Sequence, residues 1–156
     1  MALFLSTFEK QIDKKGRVSV PPTFRTVLSS YAFTGMVAYP SFTNKSIEAC
    51  RLEPLEKLYQ RIEALDPFSE ERDAFSTAIL ASSHQLVIDS EGRAIIPEAL
   101  LRFSGITESV MFVGKGATFE MWEPSAYAAQ EIRMRELALV KRLSLKAGNL
   151  AGESHA

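Results

Sequence analysis

Cysteine, histidine and net charge are all scarce in this chain, and each shortage removes a class of function. A single cysteine, Cys50, leaves no internal disulfide, and with His84 and His155 as the two histidines there is no Cys-x-x-Cys or His-x-x-x-His spacing for a metal. No catalytic constellation is present, so an enzyme is not expected, and no cofactor motif is found: Gly114-Lys115-Gly116 lacks phosphate-loop spacing, is flanked by strand-like runs, and reads as a hairpin turn. His84 reads as a surface or half-buried histidine. No run approaches the ~20 apolar residues of a spanning helix. Residues 1–10 have neither the basic flank nor the apolar length of a secretory signal. A soluble cytoplasmic protein without a membrane partner is expected, with Cys50 as a buried structural thiol in a strand.

The net charge of -1 speaks against nucleic acid at first sight, but it averages two opposed regions. Residues 1–30 hold five basic residues, Lys10, Lys14, Lys15, Arg17 and Arg25, against two acidic ones, a balance of +3. Residues 48–75 hold four basic against eight acidic residues, a balance of -4.

What the chain does have is an internal repeat. Residues 12–21, Ile-Asp-Lys-Lys-Gly-Arg-Val-Ser-Val-Pro, align without gaps on residues 88–97, Ile-Asp-Ser-Glu-Gly-Arg-Ala-Ile-Ile-Pro, at a constant offset of 76. Arg51-Leu52-Glu53-Pro54 matches Met121-Trp122-Glu123-Pro124 at an offset of 70, so the second copy is expected to be six residues shorter, with the difference in the loop Pro40 to Lys45.

Each copy reads as strand, turn, strand, short helix, hairpin. Phe8 to Ile12 and His84 to Ile88 are extended runs entering an Asp-x-x-Gly turn, and Val18 to Val20 and Ala94 to Ile96 return as strands that stop at Pro21 and Pro97. Thr23 to Leu28 and Glu98 to Phe103 suit about two helical turns. Between the copies, Leu52, Leu55, Leu58, Tyr59, Ile62 and Leu65 recur at helical spacing up to Pro67, and Ser69 caps a second helix through about Leu80. Ser125 is expected to cap a third helix, basic in its far half from Arg133 to Lys146; that face is either solvated or lines a DNA-facing surface. Phe119 and Trp122 alternate as core or subunit-contact residues.

The chemistry sits in the turns. Asp13 and Asp89 can fix the backbone ahead, Gly16 and Gly92 can take positive φ, and Arg17 and Arg93 are then held at hairpin tips. An arginine fork binds phosphate bidentately or takes guanine O6 and N7 in the major groove, and Lys14 and Lys15 add point charges. Asp13, Lys14, Lys15 and Arg17 give +2, whereas Asp89, Glu91 and Arg93 give -1. The first turn is therefore expected to contact DNA directly and the second to support it or an assembly contact. Arg25, on the helix after Pro22, is a further DNA-binding candidate or an ordinary surface arginine. A solvated hairpin with an Asp-to-Arg bond is the plain alternative for either turn.

Two Asp-x-x-Gly-Arg turns, each followed by a proline and a short helix, resemble the AbrB and SpoVT class of swapped-hairpin DNA binders. Both copies in one chain, together with Val110 to Gly114 and Phe119 to Trp122, resemble the MraZ family over residues 4 to about 145. The resemblance implies an α+β fold, a double swapped-hairpin β-barrel (an AbrB-like pseudo-dimer) with connecting and C-terminal helices. Its parts would be a first unit at 7–54, a helical connection at 55–82, a second unit at 83–126, a C-terminal helix at 127–147 and a disordered tail at 148–156. It also implies a nucleoid-associated transcriptional regulator of the division and cell-wall gene cluster, a homo-oligomeric ring that grips short direct repeats in double-stranded DNA. Ser6 departs from the family, where glycine is common, and the second turn carries Ser90-Glu91 where the first has Lys14-Lys15. The runner-up function is a structural or partner-binding oligomer with the arginines in subunit contacts.

Overall fold

Alternation of side chains along short strands, which turns one face of each to an apolar interior, organises this chain more than any helix does. The computed structural model describes residues 2–29 and 35–154, and among these residues eight strands and five α-helices are formed. The chain divides into two compact units, Met1–Pro124 and Ser125–Ala156. The first holds β1 (Thr7–Gln11), β2 (Arg17–Ser19), α1 (Pro22–Leu28), β3 (Gly35–Pro40) and β4 (Ile47–Cys50). There follow α2 (Leu52–Glu63), α3 (Glu70–Phe75), a π-helical turn (Ser76–Leu80), β5 (His84–Val87), β6 (Arg93–Ile95), α4 (Glu98–Ser104), β7 (Ser109–Gly114) and β8 (Thr118–Trp122). This is an α+β architecture whose named strand pairs are all antiparallel.

The strand order shows how the two copies combine. Six strands run β1-β7-β8-β4-β3-β5, and β2 and β6 form a separate ribbon. The first strand of each copy pairs with the third strand of the other, β1 with β7 and β5 with β3. In the ribbon Val18 pairs with Ala94, its own equivalent at the offset of 76, and Arg17↔Ile95 mirrors Ser19↔Arg93. A local near-twofold axis therefore passes between Val18 and Ala94.

A second such point lies at the middle of the large sheet, where Glu48 pairs with Glu120 between Ile47↔Met121 and Ala49↔Phe119. Here the offset is 72, and it recurs where β4 and β8 end, at Cys50 and Trp122, and where α2 and the last helix, α5 (Pro124–Ser154), begin, at Leu52 and Pro124. The match of Arg51–Pro54 to Met121–Pro124 at an offset of 70 is thus two residues out of structural register. Pro54 is the third residue of α2, whereas Pro124 is the first of α5. A Glu-Pro pair suits either early helical position, so the shared letters do not fix the alignment.

Alternation gives the sheet two faces. Met36, Ala38, Ile47, Ala49, Val110, Phe112, Phe119 and Met121 join Phe4, Phe24, Val18, Val20, Ala94, Ile96 and Leu100 in the main core. Phe24 of α1 is at its centre, with ring centroids 5.3 Å from Phe4, 4.9 Å from Phe119 and 5.5 Å from Phe8. On the other face Tyr39 and Cys50 pack with Ile62 and Ile79 under α2 and the π-helical turn. Burial there pushes the Cys50 thiol up to about 12, which suits a structural residue. Glu48 is on this same face; burial, then the charge and hydrogen bond of buried Glu120, push it up to about 7, against the opposing pull of Lys115 and Thr118. The Trp122 indole donates to Glu120 Oε1 at 2.9 Å.

Local signals explain most boundaries. Proline at the start of α1 fixes φ where no donor is needed, and the Ser69 hydroxyl accepts from the Arg72 amide at the start of α3. Gly114 and Thr118 bracket the expected tight hairpin, with the Lys115 amide on the Thr118 carbonyl at 2.9 Å. Ser125 is the second residue of α5 (Pro124–Ser154), which starts on Pro124, one residue before the expected cap. α5 carries exposed Arg133, Arg135, Lys141, Arg142 and Lys146, with Arg135 paired to Glu131 at 3.4 Å. It runs through the start of the polar segment expected as a tail, and the rest of that segment, His155 and Ala156, lies outside the described residues. Among the described residues no helix is long and apolar enough to cross a membrane.

Candidate nucleic-acid interface

The two Asp-x-x-Gly-Arg segments fold into the same turn atom for atom. Asp13 Oδ1 accepts the amides of Lys15 and Arg17, both at 2.9 Å, and its carbonyl accepts the Gly16 amide at 3.0 Å. Asp89 Oδ1 takes the amides of Glu91 and Arg93, also at 2.9 Å, and its carbonyl takes the Gly92 amide at 3.0 Å. These amide donors, with the arginine side chain, hold both aspartates below the usual carboxylate range. Gly16 and Gly92 sit at φ of 84° and 82°, which an L side chain resists.

The turns are also locked to each other's strands. The Val20 amide donates to the Gly92 carbonyl at 2.9 Å, and the Ile96 amide to the Gly16 carbonyl at 2.8 Å. Each turn thus depends on the other copy for its position. A Cβ on Gly16 would come within 2.8 Å of the Ile96 carbonyl oxygen, so the close approach itself requires glycine.

With Val18 and Ala94 turned into the core, the outward face of the ribbon is left to Arg17, Ser19, Arg93 and Ile95. Arg17 and Arg93 are diagonal neighbours across it, a Cα spacing on the order of 7–8 Å. They border one open cleft of about 500 Å³ together with Gln85, Val87 and Ile95. Val87 and Ile95 are 67% and 58% exposed. Ser19 and Ile95 are additions to the sequence-based site. Strand alternation alone puts them on the arginine face, whereas the approach of Val87 depends on β5 lying beside the ribbon.

The two arginines differ in what already holds them. Arg17 Nε donates to Asp13 Oδ2 at 2.8 Å, and among the described residues no acceptor meets its terminal nitrogens. Arg93 Nε reaches Asp89 Oδ2 at 3.3 Å, and its Nη2 is taken by Glu91 Oε2 at 3.2 Å. Lys14 and Lys15 stand exposed beside Arg17, while Ser90 and Glu91 occupy the equivalent places beside Arg93. Arg25 does not join the first turn: its side chain lies across Gly92. Of the residues set aside on sequence, His84 is half-buried in β5, and neither Phe119 nor Trp122 is exposed to stack on a base. No group of three or more potential metal ligands forms among the described residues.

Comparison with known proteins places this geometry. Residues 79–145 match the family model described as "MraZ protein, putative antitoxin-like", a span that takes in the second turn. Similarity to individual proteins extends over nearly the whole chain. The Transcriptional regulator MraZ of Rickettsia bellii is 51% identical over 150 residues, 96% of this chain and 100% of that protein. The chain belongs to the MraZ family. Further MraZ proteins agree: that of Pelagibacter ubique is 50% identical over 144 residues (92% of this chain, 93% of that protein), and that of Rickettsia canadensis is 48% identical over 149 residues (96% and 100%). All three of these relatives are named as transcriptional regulators.

Proposed function

We propose that this MraZ-family chain is a sequence-specific, DNA-binding transcriptional regulator whose main contact is the first turn, through Arg17 with Lys14 and Lys15. The observation that carries this reading is the state of Arg17: anchored at Nε by Asp13, outward on a two-stranded ribbon, with its terminal nitrogens uncommitted among the described residues. A ribbon of that width fits the major groove, where an arginine fork can take guanine O6 and N7. Asp13 and Gly16, like Asp89 and Gly92, shape the turns. Arg93, part-neutralised by Glu91, contributes less.

The two copies, 7–54 and 83–126, act as interlocked swapped-hairpin halves of one double barrel; the exchange of first and third strands and the ribbon at the near-twofold support that reading. Residues 55–82 connect them, and α5, Pro124–Ser154, follows as the terminal helix. One subunit with a few phosphate contacts binds weakly. A ring of copies on short direct repeats raises avidity by ~10²–10⁴ through effective concentration alone. Control of the division and cell-wall gene cluster, in a cytoplasmic, nucleoid-associated setting, follows from the family resemblance.

The test is fluorescence anisotropy of a duplex carrying the gene's own upstream region, titrated with native protein and Arg17→Ala at several salt concentrations, with oligomer mass checked throughout. Tight, selective binding that falls with a log-log slope of about -0.9 per phosphate and is lost in the variant is the expected result. No binding by the intact native oligomer favours the second reading, a structural oligomer with these arginines in subunit contacts, for which exposed Val87 and Ile95 beside the cleft speak.

A further inference from the structure

The near-twofold relation gives each turn a partner residue from the opposite copy's short helix. Leu101 of α4 packs beside Gly16, its Cδ1 3.7 Å from where a Cβ would stand. Its equivalent at the offset of 76 is Arg25 of α1, and this side chain covers Gly92. A Cβ there would lie 2.1 Å from Nη1 and 2.6 Å from Cζ, so the guanidinium plane rests directly on the turn. One position is apolar and the other cationic, and the difference falls at the turn that lacks lysines.

Among the described residues Arg25 is not spent inside the protein. Among the described residues none of its side-chain nitrogens has a hydrogen-bond or ion-pair partner, and its Nε is buried as well as unpaired. The nearby carboxylates are engaged elsewhere: Asp89 holds the turn amides and Arg93 Nε, and Glu91 holds Arg93 Nη2. A guanidinium kept in place by packing, with its Nε shielded from water, gains most from an external anion.

We infer that Arg25 completes the second turn as a phosphate-binding site, a composite to which one copy gives the turn and the other the free cation. This rests on the DNA-binding reading above and deepens it. With Arg25 counted, Asp89, Glu91, Arg93 and Arg25 balance to zero, where the second turn alone stands at -1 and the first at +2. Glycine at position 92 takes a positive backbone angle and leaves room for the arginine laid over it. Arg25 thereby serves the half of the interface opposite to the one its sequence position suggests.

A double-mutant cycle on one duplex tests this, with oligomer mass checked for every protein. Arg25→Leu puts the residue type of position 101 at position 25, so the helix keeps an apolar anchor. It is expected to weaken binding about 3- to 10-fold and to shallow the salt slope, with Arg25→Lys restoring much of the slope. The loss should shrink to near nothing in an Arg93→Ala background, against its full size in the native one. An equal loss in both backgrounds, or an unchanged salt slope, would overturn the assignment. If native protein binds no DNA, both readings fail; if Arg17→Ala abolishes binding while Arg25→Leu costs the same in the native and Arg93→Ala backgrounds, this one fails alone. Thermal denaturation checks the contact itself: Gly92→Ala should cost less in the Arg25→Leu protein than in the native one, and an equal cost would contradict it.

Discussion

The first and second turns share a backbone and differ in what surrounds it. Both use an aspartate, a glycine at positive φ and an arginine on the outward face of the same ribbon. Around the first stand two exposed lysines and an apolar Leu101; around the second stand Ser90, Glu91 and the guanidinium of Arg25. Scaffold and charge thus differ separately: the hydrogen bonds that shape the hairpin are kept in duplicate, while the charge around it differs at three neighbouring side chains.

The comparison can be broken most forcefully at the glycines. Gly16→Ala forces a side chain onto the Ile96 carbonyl at 2.8 Å and is expected to destabilise by about 2–4 kcal/mol. Gly92→Ala meets the movable end of Arg25 instead, and its cost is expected nearer 1–2 kcal/mol, most of it backbone strain. Urea or thermal denaturation measures both; equal losses would show that the two turns are seated alike.

Titration contrasts the turns with the other point on the near-twofold. Asp13 and Asp89 have lowered values when folded, so their contribution is present above the ordinary 3.8 and is lost as pH falls below it. Glu48 is raised from 4.5 to about 7, so its contribution is full below 4.5 and is lost as pH rises through about 7. Stability should therefore peak in mildly acidic solution. Glu48→Gln is expected to raise Tm by a few degrees at pH 8 and to flatten the fall on the alkaline side. A falling alkaline limb that survives the substitution would exclude the carboxylate pair as its source.

A milder change sharpens the charge difference. Glu91→Lys releases Arg93 Nη2 and gives the second turn a lysine, so DNA affinity at low salt should rise several-fold and the salt slope steepen. Anisotropy reads both, and an unchanged slope would place the second turn away from phosphate. Smallest of all, Ser6→Gly should stabilise by about 0.5–1 kcal/mol in a melt, because Ser6 holds φ of 75° against the preference of a side chain.

Both turns were legible in the sequence because Asp-x-x-Gly-Arg is a local device whose partners lie within four residues. The short helices after Pro21 and Pro97 and the amphipathic α2 were legible for the same reason: spacing and breakers act along the chain. The exchange of strands between copies entered only through the family resemblance, since alternation reports which face of a strand is apolar and not which strand lies beside it. Glu48 opposite Glu120 and Arg25 over Gly92 are consequences of that exchange. The strain at Ser6 was equally out of reach, because a positive backbone angle there leaves no mark on the sequence around it.

The central claim, that the first turn is the principal reading head, is tested most directly by titrating one upstream-region duplex with Arg17→Ala and with Arg93→Ala, each confirmed as an intact oligomer. Loss of binding by 100-fold or more for Arg17→Ala, against about 3- to 10-fold for Arg93→Ala, is the predicted result, on the order of a bidentate guanine contact multiplied over several subunits. Equal loss for the two variants would contradict it.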